Sequence, residues 1–149
     1  MKTTTVDLED PDHRIEITED TEIAALYIGR NKASVAPRLQ IYHKLPHLKS
    51  RINIKAVVFD EASFDLEATL IIDKGAEDTD TYLKIDALMM SDLARARAVP
   101  SLEILTDNVK GGHGATIGQV DPEQIFYLMS RGLSQQAAEE AIVEAFVKG

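Results

Sequence analysis

The chain has 149 residues, 44% hydrophobic and 28% charged, with five Pro and eight Gly; this fits one domain with a real core and excludes a disordered or low-complexity chain. Sixteen basic against 25 acidic side chains leave a formal charge of −9, so the field of the molecule repels phosphate backbones and anionic lipid, and neither nucleic acid nor membrane is expected as a partner. The absence of cysteine removes disulfides, thiolate nucleophiles, Cys-ligated zinc and the usual Cys-ligated iron-sulfur cluster, so any metal must use His or carboxylate.

No stretch reaches the roughly 18 apolar residues that span a bilayer, and Met1-Lys2-Thr3-Thr4-Thr5 leads into acidic residues rather than an apolar signal core. A soluble, cytoplasmic protein is expected. Asp7 to Glu22 is rich in Asp and Glu, reads as a solvated edge, and lacks the D-x-D-x-D-G loop of a calcium site.

From Glu22 to Gln119 apolar runs alternate with turn material. Ile23 to Ile28, Ile52 to Phe59, Leu66 to Ile72, Tyr82 to Met90 and Leu102 to Leu105 read as strands. Ile52, Ile54 and Ala56 keep period two, whereas Ala56-Val57-Val58-Phe59 and Leu70-Ile71-Ile72 are continuous, as in segments covered on both sides. Asp60-Glu61-Ala62-Ser63, Asp73-Lys74-Gly75 and Asp107-Asn108 punctuate them as turns. Ala56 to Asp60 faces Ala87 to Ser91 at a shift of 31, and Leu70 to Asp73 faces Leu102 to Leu105 at 32 or 33. Such a weak repeat is met by a stacked solenoid or by a sandwich, and periodicity does not choose between them. Either leaves strand edges that could pair with another chain.

Asp121-Pro122-Glu123-Gln124 opens a helix: Asp caps it, Pro suits its first position and Gln124 stands where a capping-box partner would. Its apolar residues are Ile125, Phe126, Leu128 and Met129; Arg131 favours its negative end and Gly132 stops it. Ser134 caps a second helix, with Ala137, Ala138, Ala141, Ile142, Ala145 and Phe146 as one apolar stripe. The expected organisation is a β core over 1–120 and a two-helix element over 121–149.

His113 stands in Lys110-Gly111-Gly112-His113-Gly114-Ala115-Thr116, where glycines permit close backbone approach. The segment reads as a turn with an incidental His, or as a loop of Gly111, Gly112, Gly114 and Thr116 that presents an imidazole to metal. No Gly-Lys-Ser/Thr and no helix follow the glycines, so phosphate cradling and a bound nucleotide are not expected. His43 and His47 are four apart, but Pro46 disfavours the helix that would align them, and His13 reads as a surface residue. There is no Gly-x-Ser-x-Gly turn and no distinguished carboxylate pair, so catalysis is not signalled.

From Gly75 onward the chain resembles the C-terminal part of the SufB/SufD family of iron-sulfur cluster assembly proteins. The resemblance runs through Gly75 to Tyr82, Leu88 to Ala96, Val99 to Ile104, His113-Gly114-Ala115-Thr116-Ile117-Gly118-Gln119 and Phe126 to Leu133. It implies a mainly β fold, a short right-handed parallel β-helix followed by a C-terminal helical hairpin, in a short SufD-like member or a C-terminal core fragment. It further implies pairing through the β-helix with a SufB-like partner, or with itself as a homodimer. The C-terminal helices would dock a SufC-like ABC ATPase, with Phe126, Tyr127, Arg131, Glu139, Glu140 and Phe146 as the contact residues. His113 matches the family histidine implicated in assembly where SufB and SufD meet, and becomes the candidate ligand for transient iron or an iron-sulfur cluster. Gly111-Gly112 stand where the family often has Cys-Ser. The expected role is that of a non-catalytic scaffold subunit. The alternatives are a His113-centred metal-binding protein or hydrolase, and a β-solenoid interaction module without the cluster role.

Overall fold

The computed structural model describes residues 1–149 as ten strands and two helices. The strands are β1 (Lys2–Thr5), β2 (Asp12–Ile17), β3 (Thr21–Gly29), β4 (Ser34–Val35), β5 (Arg38–His43), β6 (Lys49–Val58), β7 (Ser63–Ile72), β8 (Thr79–Met89), β9 (Arg95–Ile104) and β10 (Val109–Gln119). Helices α1 (Pro122–Ser130) and α2 (Gln135–Lys148) follow.

Two parallel sheets face each other, one ordered β1-β3-β6-β8-β10 and the other β2-β5-β7 with β9 beyond β7. β4 and β5 both pair with β7 in one line, broken where Pro37 can give no N–H to a ladder. The chain crosses from one sheet to the other after each line of strand, and every pairing is parallel. Parallel neighbours need a crossover, and here the strand of the opposite sheet supplies it. The result is a solenoid of about four turns, which decides against the sandwich. The repeat is physical register: Ala56 pairs with Ala87 and Leu70 with Leu102.

Period-two patterning fills the space between the sheets. β3 alternates buried and exposed residues along its whole length, and Tyr27 reaches across to stack on Phe64 with ring centroids 5.7 Å apart. Ile23, Ile52 and Leu83 form one inward column, and Leu39, Ile41, Leu66 and Leu70 line the facing sheet. Burying a side chain of this size is worth about 1.5–3 kcal/mol, so columns of them make stacking favourable.

Two expectations need correction. The acidic stretch before Glu22 is not simply a solvated edge: it contains β2, and Leu8 and Ile17 are buried in the core. Charged residues alternate there with the inward positions, which masks the period. Lys110 to Thr116 is not a turn but the middle of β10, since ladder bonds to β8 outweigh the low strand propensity of its glycines.

The helices begin as their caps predict. Asp121 accepts from the Glu123 N–H at 2.9 Å and Ser134 from the Ala137 N–H at 3.1 Å, and Gly132 has φ +104°. Their faces differ from expectation. α1 buries none of its residues. α2 seats Val143 and Phe146 on Val57, Phe59 and Met90, leaving Ala141 and Ala145 exposed. This explains the continuous Ala56 to Phe59 run, since Val57 points out of the solenoid and is covered by α2. No helix is long and apolar enough to cross a membrane.

Candidate functional site at the uncovered end of the solenoid

Both ends of the solenoid expose strand edges. At the first, β1 and β2 are the outer strands, and Val6 and Leu8 between them are buried in the core. At the other, β9 and β10 are the last strands of their sheets, so their outer edges carry unpaired backbone groups and their inward side chains have no turn stacked above them.

β10 places His113 opposite Leu83, a fully buried residue. His113 therefore tops the column Ile23–Ile52–Leu83 and shares the inward face, yet it is exposed because β10 is the outermost strand of its sheet. The other inward positions from Val109 to Ile117 are Val109, Gly111, Ala115 and Ile117. β9 adds Ala96, Ala98, Pro100, Leu102 and Ile104, in register with Phe64, Leu66, Ala68, Leu70 and Ile72. His113 is thus the one polar side chain in this inward-facing set. Ile104 and Ile117 stay 43% and 41% exposed, an apolar surface of the kind that a partner covers.

The glycines around His113 have separate reasons. A Cβ on Gly111 would stand 3.3 Å from Ile72 Cδ1 and 3.6 Å from Ile104 Cδ1, so Gly111 lets the sheets close beneath the end. Gly112 and Gly114 point outward. A Cβ would lie 3.1 Å from Tyr82 Cδ2 at Gly112 and 2.8 Å from Tyr82 Oη at Gly114. The Tyr82 ring lies across the outer face of β10 on either side of His113. Thr116 points outward as well, opposite Asp86. No set of three His, Cys, Asp or Glu side chains is placed to hold a metal ion, so His113 lacks the further ligands that a closed metal site would need.

On the helices, Phe126, Tyr127 and Met129 are 73%, 60% and 42% exposed, and Arg131 caps the end of α1. Glu139 and Glu140 lie on α2 beside a groove that Leu26 and Ile28 of β3 also line. Phe146 is turned inward onto the sheet, with Lys55 Nζ 5.6 Å from its ring centroid; it anchors α2 and is not part of the exposed aromatic face. The same Nζ donates to the carbonyls of Phe146, Val147 and Gly149 at 2.8–3.0 Å, as suits a cation at a helix C-terminus.

Two histidines set aside on sequence grounds have structural roles. His43 is fully buried, with Nε2 2.7 Å from Ser50 Oγ, itself 2.6 Å from Thr81 Oγ1. Burial pushes its pKa down to about 4, and its Nδ1 has no partner. Its position was readable: Leu39, Ile41 and His43 continue one period-two face. His47 donates from Nδ1 to Asp78 Oδ2 at 2.9 Å at an outer corner, a pairing across 31 residues that no local pattern signals.

A parallel β-solenoid with outer strands at both ends and a helical tail on its flank defines the class. A family model described as "SUF system FeS cluster assembly, SufBD core domain" matches residues 8–146. The chain is 38% identical over 109 residues to the iron-sulfur cluster assembly protein SufD of Escherichia coli, covering 73% of this chain and 26% of that protein. It is 38% identical over 94 residues to a SufBD family protein of Pyrococcus horikoshii, covering 63% and 21%. With a SufBD family protein of Synechocystis it shares 31% over 141 residues, covering 90% and 31%. The chain belongs to the SufBD family of the SUF iron-sulfur cluster assembly system, and its matches span about a third or less of these relatives' length.

Proposed function

We propose that this chain is a non-catalytic, cytoplasmic scaffold subunit of SUF-type assembly, in which the uncovered end of the solenoid pairs with a second β-helix and the helical tail engages a SufC-like ABC ATPase. The observation that carries the reading is His113: one imidazole set in an otherwise apolar, inward-facing layer where two strand edges are free. Apolar burial and backbone pairing would drive the association, and the joint would enclose His113 with side chains from the other body. The imidazole nitrogen is a competent iron donor. Iron or a nascent cluster, the cargo of the system, would be held transiently at this joint, with this chain supplying His113 and no thiolate. The partner is a SufB-like chain or a second copy.

The exposed Phe126, Tyr127 and Met129 of α1, with Arg131 at its end, form the surface offered to the ATPase, and Glu139 and Glu140 of α2 add carboxylates beside the Leu26 and Ile28 groove. Buried aromatic and Arg residues dominate such contacts. The test is calorimetry of the chain with its cognate ATPase, comparing the native sequence with Phe126→Ser/Tyr127→Ser. These side chains are exposed, so the fold should survive while affinity falls at least tenfold. No complex at micromolar concentration with the native sequence would overturn the docking role. Anaerobic titration with Fe²⁺ and sulfide in the presence of the paired β-helix, native against His113→Ala, tests the ligand role separately.

A further inference from the structure

The turns joining β5 to β6 and β7 to β8 stack at one corner of the solenoid. His47 (φ +63°) and Asp78 (φ +57°) both take the left-handed conformation there, which His and Asp adopt more readily than most side chains. The carboxylate accepts from Nδ1, so the proton of the neutral ring sits on Nδ1 and Nε2 presents a lone pair. The His47 side chain is 73% exposed, so Nε2 is open to a ligand from solvent. His47 and Asp78 line a cleft of about 470 Å³ together with Lys49, Asp80, Asn108 and Lys110.

Register places Lys49, Asp80 and Lys110 side by side on three successive strands. The Asp80 carboxylate is already held by Arg51, with Nη2 3.0 Å from Oδ1. That hydrogen-bonded guanidinium, helped by the charges of Lys110 and Lys49, keeps its pKa below the usual carboxylate range. Asp80 stands between the two lysines, and Asp20 Oδ1 accepts from the Lys49 backbone N–H at 2.9 Å. In a chain of net charge −9, two lysines flank one carboxylate, already paired with Arg51, on the cleft that His47 borders.

A carboxylate-oriented imidazole with a bare Nε2 also suits a metal, but two ammonium groups repel a cation and no third ligand joins the pair. An oxyanion that carries a hydroxyl fits better. Its P–O–H donates to Nε2 and its other oxygens accept from the lysines; an anion without that proton has no donor to offer Nε2. We propose that this corner binds a phosphoryl group through Lys49 and Lys110, with His47, oriented by Asp78, as its proton-accepting partner. This site is independent of His113 and of the assembly role.

The test is a titration of the full chain with inorganic phosphate, a nucleoside monophosphate and sulfate at constant ionic strength, followed by the ring resonances of His47. Phosphate should give a saturable shift, weakened at least tenfold in Lys49→Ala/Lys110→Ala and in His47→Asn, which keeps a residue suited to positive φ. Compared below about pH 6, where the monoester too keeps a P–O–H, equal affinity for phosphate and the monoester assigns recognition to the phosphoryl group alone; tighter monoester binding assigns a small phosphorylated molecule. Sulfate has no proton to give between pH 6 and 8, so it should bind at least tenfold more weakly than phosphate, a difference lost in His47→Asn. A shift linear in phosphate, unchanged affinity in the double-lysine variant, or a saturable response to Zn²⁺ in place of the anions would overturn the site.

Discussion

The phenolic oxygen of Tyr82 lies 2.8 Å from the point where a Cβ on Gly114 would stand, and the ring edge lies 3.1 Å from the corresponding point on Gly112. An outward side chain of β8 thus fixes what two positions of β10 can be, and holds from behind the strand segment that carries His113. In Gly114→Ala the ring must swing off the strand. We expect a loss of about 1 kcal/mol by chemical denaturation, and a much smaller loss when the same change is made in Tyr82→Ala, because the clash is gone. Equal cost in both backgrounds would show that the ring is not the constraint.

His43 makes stability depend on acid. Its folded pKa is about 4 against about 6.5 for an unfolded histidine, so the unfolded chain binds the extra proton. This contribution is constant above about pH 6.5, falls as pH drops toward 4, and is worth up to about 3 kcal/mol across that window. His43→Leu should remove this part of the pH dependence while leaving Ser50 and Thr81 paired with each other. Denaturation midpoints measured between pH 7 and 4.5 check it; parallel curves for the two proteins would contradict it.

Lys55 ties α2 to the outer face of the solenoid through three carbonyls and the Phe146 ring. Lys55→Met keeps the aliphatic stem and loses the donors. We expect amide exchange in α2 to quicken several-fold, equivalent to about 1 kcal/mol, with exchange in β3 and β7 unchanged.

Ile104 and Ile117 flank the uncovered end in a half-exposed state. A charge at either costs little in the isolated chain, since surface changes usually stay within about 0.5 kcal/mol. It is prohibitive in an apolar joint. Ile117→Glu should therefore leave the melting temperature nearly unchanged and abolish pairing in sedimentation. Pairing that persists in both Ile104→Glu and Ile117→Glu would move the joint elsewhere.

Much of the fold was legible because alternation and capping are local. Ile52, Ile54 and Ala56 announce a strand, Asp121 and Ser134 announce helix starts, and the shift of 31 that aligns Ala56 with Ala87 is the register observed. The first turn was harder to read, because the charges of β2 sit between its inward residues. β10 was read as a turn because four of its residues are glycines, and what demands them is the Tyr82 ring on one face and the closing sheets at Gly111 on the other.

For the site, the sequence singled out His113 through its motif and carried the family resemblance through ordered segments from Gly75 to Leu133. It determined that strands repeat and that helices follow, since these depend on residues near one another or on spacing. Tertiary structure decided that His113 crowns an apolar column at an uncovered end, that His43 is sealed inside and that His47 meets Asp78 across a turn of the solenoid. Those relationships join residues about 30 positions apart through stacking, and stacking is set by how the sheets pack rather than by any stretch of chain alone.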